Sequence, residues 1–253
     1  MSPALSRFQD RVAIVTGAAS GIGRATALRL ADEGAAVLCL DIVSDGVVET
    51  AKLAGEREGM GEARVCDVTD RASIDAAVAA CVDRFGKIDV LCNIAGIIHY
   101  GHFGEIPLDA WKKVYAVNVE GLFQMCQAAI PHLLETRGNI VNASSSSALR
   151  GMPYGTAYSS SKGAISAFTR SLAIEYAKRG IRVNAVCPAS IETAMTNVQL
   201  IPDDVDYKLL MRQAAITGAR EPDVVAGVIA MIASEDGAHL NGEEIRVDGG
   251  AVS

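Results

Sequence analysis

Short β-branched runs alternate with longer amphipathic stretches along the whole of this 253-residue chain, and that alternation most restricts its fold. Strands are expected at Val12–Thr16, Ala36–Asp41, Ala63–Cys66, Val90–Asn93, Asn139–Ala143, Arg182–Val186 and Glu244–Val247. Helical patterns fall between them at Gly23–Glu33, Val47–Glu58, Arg71–Phe85, Leu108–Glu135, Ala157–Arg179 and Pro222–Ser234. Runs such as VAIV and AVLCL are apolar on both faces, as central parallel strands covered by helices must be. Glu33-Gly34, Phe85-Gly86 and Arg179-Gly180 end helical patterns with the residue that accepts a left-handed cap. The pattern predicts an α/β fold, a doubly wound parallel sheet of about seven strands flanked by helices on right-handed crossovers. One stretch breaks the rhythm. From Ala189 to about Thr217 there is no clear strand, and Pro202 stands beside Asp203, Asp204 and Asp206. Placed after a strand's carboxyl end, where such sheets bind ligands, residues 189–217 are expected to form a substrate-covering lid.

After the first strand comes TGAASGIG, with Gly17, Gly21 and Gly23 spaced to turn the chain and bring backbone close to a pyrophosphate at a helix N-terminus. This strand–turn–helix context predicts one Rossmann-type domain over residues 1–253, with no linker, repeat or low-complexity segment to divide it. Asp41 ends the second strand eighteen positions beyond Gly23, where a carboxylate can accept hydrogen bonds from an adenosine ribose. The same carboxylate repels the extra phosphate of NADP. Like charges at about 4 Å cost up to roughly 4 kcal/mol at an effective dielectric of 20. Solvent screening leaves a few kcal/mol or less, still about one or two decades of preference. With no Arg or Lys beside Gly21 or after Asp41, the cofactor is expected to be NAD. Asp67 ends the third strand and Asn93 the fourth, so Asp67 is expected near the adenine amine and the Asn93–Gly96 backbone along the dinucleotide. Each could equally cap a turn.

Half of the residues are hydrophobic and 21% are charged, which fits a globule with a large core. The formal charge of −7 argues against nucleic acid as a partner. The longest apolar stretch, Val224–Ala233, is too short to cross a bilayer, and the amino-terminal MSPALSRFQDR lacks an apolar signal core. A cytoplasmic protein without membrane partners is expected. Cys39, Cys66, Cys81, Cys92, Cys126 and Cys187 form no CxxC and read as buried reduced thiols. His99 and His102 read as loop or pocket residues, and no metal site is expected.

Tyr158 and Lys162 stand four apart on a helical pattern and therefore share a face. A free phenol titrates near 10, too high to take a proton at neutral pH, whereas a nearby ammonium favours the phenolate. The pair is expected to lower the tyrosine's pKa, helped by the charge of an oxidised nicotinamide, and to exchange a proton with an alcohol. Tyr-x-x-x-Lys alone is common on ordinary helices. Here the strand Asn139–Ala143 feeds Ser144–Ser147, and Ser145 precedes Tyr158 by thirteen positions.

With these pieces, together with CDV, NIAG, Asn118 in VNVEGLF, the VNAVCP strand end and the final VDGG, essentially the whole chain resembles the short-chain dehydrogenase/reductase family. The resemblance implies a catalytic set of Asn118, Ser145, Tyr158 and Lys162. Ser145 would bind the substrate oxygen, Asn118 would hold a water in a proton relay, and Lys162 would also bind the nicotinamide ribose. It further implies cofactor contacts at Gly17, Ser20, Gly21, Ile22, Gly23, Asp41, Asp67, Val68, Asn93, Ala95, Gly96, Tyr158, Lys162, Pro188, Ile191 and Thr193. Two positions depart from the family's pattern. Ile94 replaces the second asparagine of Asn-Asn-Ala-Gly, for which a small effect is expected. Ala189 replaces the glycine of Pro-Gly and removes easy access to positive φ at the lid entrance.

Substrate walls are expected from Ile97, Ile98, Tyr100, Leu149, Met152, Met195, Val198, Leu200 and Ile201, with Arg150 and Glu192 as the only fixed charges. A mostly apolar pocket suits a neutral secondary alcohol or ketone. The expected activity is an NAD-dependent interconversion of the two. Alternatives are a 3-oxoacyl thioester reductase using NADPH and a non-catalytic nucleotide sensor. The two long helices, rich in small apolar residues, and the family's habit lead us to expect a homotetramer.

Overall fold

A computed structural model describes residues 6–196 and 201–252. In chain order the elements are β1 (Val12–Thr16), α1 (Gly21–Asp32), β2 (Ala36–Asp41), α2 (Ser44–Gly55), β3 (Met60–Val65), α3 (Arg71–Phe85), β4 (Val90–Asn93), α4 (Leu108–Tyr115), α5 (Gly121–Thr136) and β5 (Asn139–Ala143). They continue with α6 (Ser146–Arg150), α7 (Thr156–Tyr176), β6 (Arg182–Pro188), α8 (Tyr207–Met211), α9 (Asp223–Ala233) and β7 (Glu244–Val247). The strands form one seven-stranded sheet in the order β3-β2-β1-β4-β5-β6-β7, and every pairing is parallel.

Strand side chains alternate between two cores. Ala13 and Val15 of β1 pack on the α1, α2 and α9 side with Leu30, Val47 and Ile229. Val12 and Ile14 face α3, α5 and α7 with Ile74, Met125 and Ile165. The inner strands are buried on both faces, whereas β3 alternates with exposed positions because it pairs on one edge alone. Gly86 and Gly180 take left-handed caps after α3 and the 3-10 turn that follows α7, as the sequence predicts.

Three differences from the sequence reading concern helices and the edge strand. β3 begins at Met60 rather than Ala63, since pairing from Ala36–Met60 to Asp41–Val65 makes Met-Gly-Glu into strand despite its poor propensity. α2 runs Ser44–Gly55 and not Val47–Glu58. The helix expected over Leu108–Glu135 is interrupted by a π-helical turn, Ala116–Glu120. The π turn carries Asn118, and such turns recur where a helix must present a functional group.

The lid region has little regular structure of its own. Ile191 bridges Arg220 in parallel, and α8 is a single short turn of helix. Ala189 needs no positive φ, because the left-handed conformation falls on Ser190, at φ 51. Ser190 Oγ then accepts from Ala215 N at 2.9 Å and ties the two ends of the segment together. Further on, Asp206 N donates to Tyr154 Oη at 3.0 Å and His102 lies 3.1 Å from Asp204, so the segment rests on the 99–103 and 151–154 loops. Val198 and Leu200 lie outside the described residues.

Candidate active site

The strand order reverses between β1 and β4, and that switch point opens a crevice at the strands' carboxyl ends. A groove of about 470 Å³ runs along it. Gly17, Ser20, Ile22, Gly23, Asp41, Asp67, Val68, Ala95, Gly96 and Thr193 all line this groove. Gly17 turns at φ +70, and a Cβ on Gly23 would overlap the Gly17 carbonyl, so the glycines are required by the backbone itself. α1 starts at the groove with no side-chain cap on Ser20 and no acidic residue in its first turn. Its first N–H groups and positive dipole end therefore remain available to an anion. At the far end, Asp41 Oδ2 accepts from Ala19 N at 3.0 Å and Oδ1 from Val43 N at 2.9 Å, which fixes the carboxylate at the β2 terminus. A tight turn, a bare helix end and a terminal carboxylate are what a dinucleotide's pyrophosphate and ribose require, so the groove fits such a cofactor.

Two residues sit differently from their neighbours. Asn93 is 4% exposed and does not line the groove; its Nδ2 donates to Asn142 Oδ1 at 2.9 Å and to Cys126 Sγ. Asp67 lines the groove, yet its Oδ1 also accepts from Thr69 N and Thr69 Oγ1, at 2.8 and 2.7 Å. Both alternatives, turn cap and groove wall, are thus present in Asp67. Ile94 replaces a polar residue without loosening the backbone, because Thr16 Oγ1 accepts from both Ile94 N and Ala95 N, at 3.0 and 3.1 Å.

Ile22, Ile94, Thr193 and Met195 are shared with a second cavity of about 150 Å³. Ser145, Tyr158, Lys162, Pro188 and Ile191 line it. Ser145 stands between β5 and α6, its Oγ accepting from Ser147 N at 3.2 Å, and shares the cavity wall with Tyr158. α7 brings Tyr158 and Lys162 to the same wall, one turn apart. Lys162 Nζ donates to the Ala143 carbonyl at 2.6 Å and lies 5.6 Å from the Tyr158 ring centroid. Ser144 Oγ bonds the Lys162 carbonyl and Ser166 Oγ, each at 3.0 Å, and so clamps α7 to the end of β5. On the other side Asn118, 1% exposed, accepts from Ile97 N at 2.8 Å and donates to Ile97 O and Ser161 Oγ, each at 3.0 Å. Gly96 separates Asn118 from Lys162; a Cβ there would meet Asn118 Oδ1 at 3.2 Å and Lys162 Nζ at 3.4 Å.

The electrostatics correct one expectation. The Tyr158 phenol is not made acidic by Lys162. Burial pushes it up to about 12, with Ser145 alone pulling it down, and Tyr100 and Cys187 add to the rise. Burial likewise takes Lys162 down to about 8. Desolvation disfavours both charged forms.

The substrate walls also change in part. Ile98, Tyr100, Met152 and Met195 line the smaller cavity, and Ile97 lines the groove instead. Leu149 is exposed, Arg150 turns to the Ala251 carbonyl, and Glu192 is exposed, so none of the three lines either cavity. Sequence reasoning missed Lys113 and Val117 of the groove and Gln213 of the cavity. Lys113 and Val117 were detectable as an i, i+4 pair leading into Asn118; Gln213 lies in the lid, where no periodicity marks a facing side chain. All six cysteines are free and buried, with thiols pushed up by desolvation, to about 12 for Cys39, Cys81, Cys92 and Cys126. No group of three or more metal-ligating side chains occurs among the described residues, and none of their helices is long and apolar enough to cross a membrane.

A family model described as enoyl-(acyl carrier protein) reductase matches residues 17–252. The chain is 42% identical to 2-(R)-hydroxypropyl-CoM dehydrogenase of Xanthobacter autotrophicus, across 95% of this chain and 98% of that protein. It is 36% identical to meso-2,3-butanediol dehydrogenase of Serratia marcescens, across 98% and 96%. Among solved structures, 3-ketoacyl-(acyl-carrier-protein) reductase from Brucella melitensis, complexed with NADH, superimposes with a TM-score of 0.88 at 31% identity, across 97% of this chain and all of that one. Sheet order, glycine turn, serine–tyrosine–lysine wall and relatives agree: the chain belongs to the short-chain dehydrogenase/reductase family and is an oxidoreductase acting on CH–OH groups.

Proposed function

We propose that the protein is an NAD-dependent dehydrogenase that interconverts a neutral secondary alcohol and its ketone, with Ser145, Tyr158, Lys162 and Asn118 as its working set. The observation that carries this reading is the junction of the two cavities. Ser145 and Tyr158 line the smaller one, and Asp41 lines the groove. When bound, the oxidised nicotinamide would take hydride from the alcohol carbon, the reduced form would return it to the ketone, and the oxidised ring would supply positive charge. Tyr158 moves the proton at its phenol oxygen, and Ser145 holds the substrate oxygen as charge develops there. Lys162 provides donors at the smaller cavity beside the groove, and Asn118 fixes the Ile97 backbone.

Selectivity for NAD over NADP rests on Asp41 and on the fate of the nearest cation. Arg24 follows Gly23 directly, but its guanidinium bonds Thr50 Oγ1 at 3.0 Å, Ala19 O at 2.7 Å and Glu49 at 2.7 Å. A guanidinium held this way is not free to meet a 2′-phosphate. The family neighbour named as a ketoacyl reductase favours a thioester substrate as the second reading, and that neighbour holds NADH. Screening a panel of alcohols, ketones and a 3-oxoacyl thioester with both nicotinamide cofactors separates the readings. Turnover of simple alcohols with NAD is expected; turnover confined to the thioester with NADPH contradicts it.

The surface favours a second chain. Ile174 on α7 is 80% exposed and Phe123 on α5 is 48% exposed. Those are apolar faces a subunit contact would cover, and a homotetramer through α5 and α7 is the assembly we expect. Sedimentation at micromolar concentration checks it, and a monomer alone would refute it.

A further inference from the structure

The cavity against Tyr158, at about 150 Å³, is small. At roughly 15 Å³ for each water-sized group, it takes on the order of ten non-hydrogen atoms. Its walls are mostly apolar, and among the described residues Lys162 is its only charged side chain. One polar group outside the reacting set is different. Tyr100 lines the cavity half-buried, and burial pushes its phenol up with no hydrogen bond acting against the shift. Tyr158 lines the same cavity, so the two tyrosines share one small space. The loop that carries Tyr100 is held in place: Gly101 N donates to Tyr154 O at 2.9 Å, and His102 packs edge-on against the Tyr154 ring at 5.1 Å. Ser147, 4% exposed, lines the same cavity with an Oγ that has no partner. A hydroxyl that gives up water without gaining a partner is unfavourable, and a substrate oxygen relieves that cost.

We propose that the Tyr100 hydroxyl binds a second oxygen of the substrate, making the protein selective for compact, uncharged hydroxyketones and diols over the corresponding simple ketones and alcohols. This deepens, and rests on, the alcohol–ketone reading above. A phenylalanine would fill the same wall equally well, so the hydroxyl is the distinguishing feature.

The test is the ratio of kcat/KM for acetoin to that for butanone, with NADH, in the wild type and in Tyr100→Phe. The two probes differ by one hydroxyl. The wild-type ratio is expected to favour acetoin, and Tyr100→Phe to lower that ratio by about tenfold, the range of one neutral hydrogen bond in a site. An unchanged ratio, with both probes slowed alike or not at all, overturns the proposal and leaves Tyr100 as a wall residue. Turnover of bulkier ketones but of neither probe also overturns it, while the alcohol–ketone function stands. Absence of turnover with every alcohol and ketone refutes both.

Discussion

At Lys162 the protein keeps an ammonium where water barely reaches it, 3% exposed, with the Ala143 carbonyl as its partner. Moving its pKa from 10.5 to about 8 corresponds to about 3 kcal/mol, at ~1.36 kcal/mol per unit. The sign is destabilising. Below pH 8 both folded and unfolded chains carry the proton, so the full cost applies. Between 8 and 10.5 the unfolded chain holds more protons, stability rises with pH, and above 10.5 the cost is gone. Lys162→Met is therefore expected to abolish turnover yet stabilise the fold at pH 7 by about 2 kcal/mol, after about 1 kcal/mol is lost at the orphaned Ala143 carbonyl. Denaturant midpoints across pH 7 to 10.5 check this, and a gain that does not shrink with pH would contradict it. Asp41 gives a second residue-level test. Asp41→Ala should weaken NAD binding and shift the NAD/NADP preference by about one to two decades, read from kcat/KM with each cofactor. An unchanged preference would place selectivity elsewhere.

Among the elements, the interrupted α4–α5 helix shows where legibility ends. Strands β1, β2 and β4 are readable because both faces are buried and the apolar runs are nearly continuous. The glycine turn, Asp41 and the Ser145–Tyr158–Lys162 spacing are readable because local chemistry dictates them. The π turn at Ala116–Glu120 is not, since VYAVNVEGLF keeps a helical pattern throughout and the turn answers to contacts distant in sequence. The first half of β3 is hidden for the same reason: the strand state of Met60-Gly61-Glu62 comes from pairing with β2 and not from its own residues. The pKa of Tyr158 also escaped, because spacing reports that a cation is near but not how deeply both groups are buried. Asn118 makes the π turn testable. Asn118→Ala strands the Ile97 N–H and carbonyl, and a loss of about 1–3 kcal/mol in denaturant unfolding is expected, together with slower turnover. An unaltered midpoint would mean that the turn is held by something else.

For the whole molecule, sheet order places the two cavities side by side. The β1–β4 switch point opens the groove, while β5 and α7 deliver Ser145, Tyr158 and Lys162 to the cavity that adjoins it. Fold and chemistry meet at one phenol oxygen, and the account stands or falls there. The most direct measurement compares wild type with Tyr158→Phe, following nicotinamide absorbance for turnover and NADH fluorescence for binding. The account predicts that NADH still binds while kcat falls by about 10²–10⁴-fold, the range of a lost general acid–base. A variant that binds NADH and turns over at the wild-type rate would contradict it.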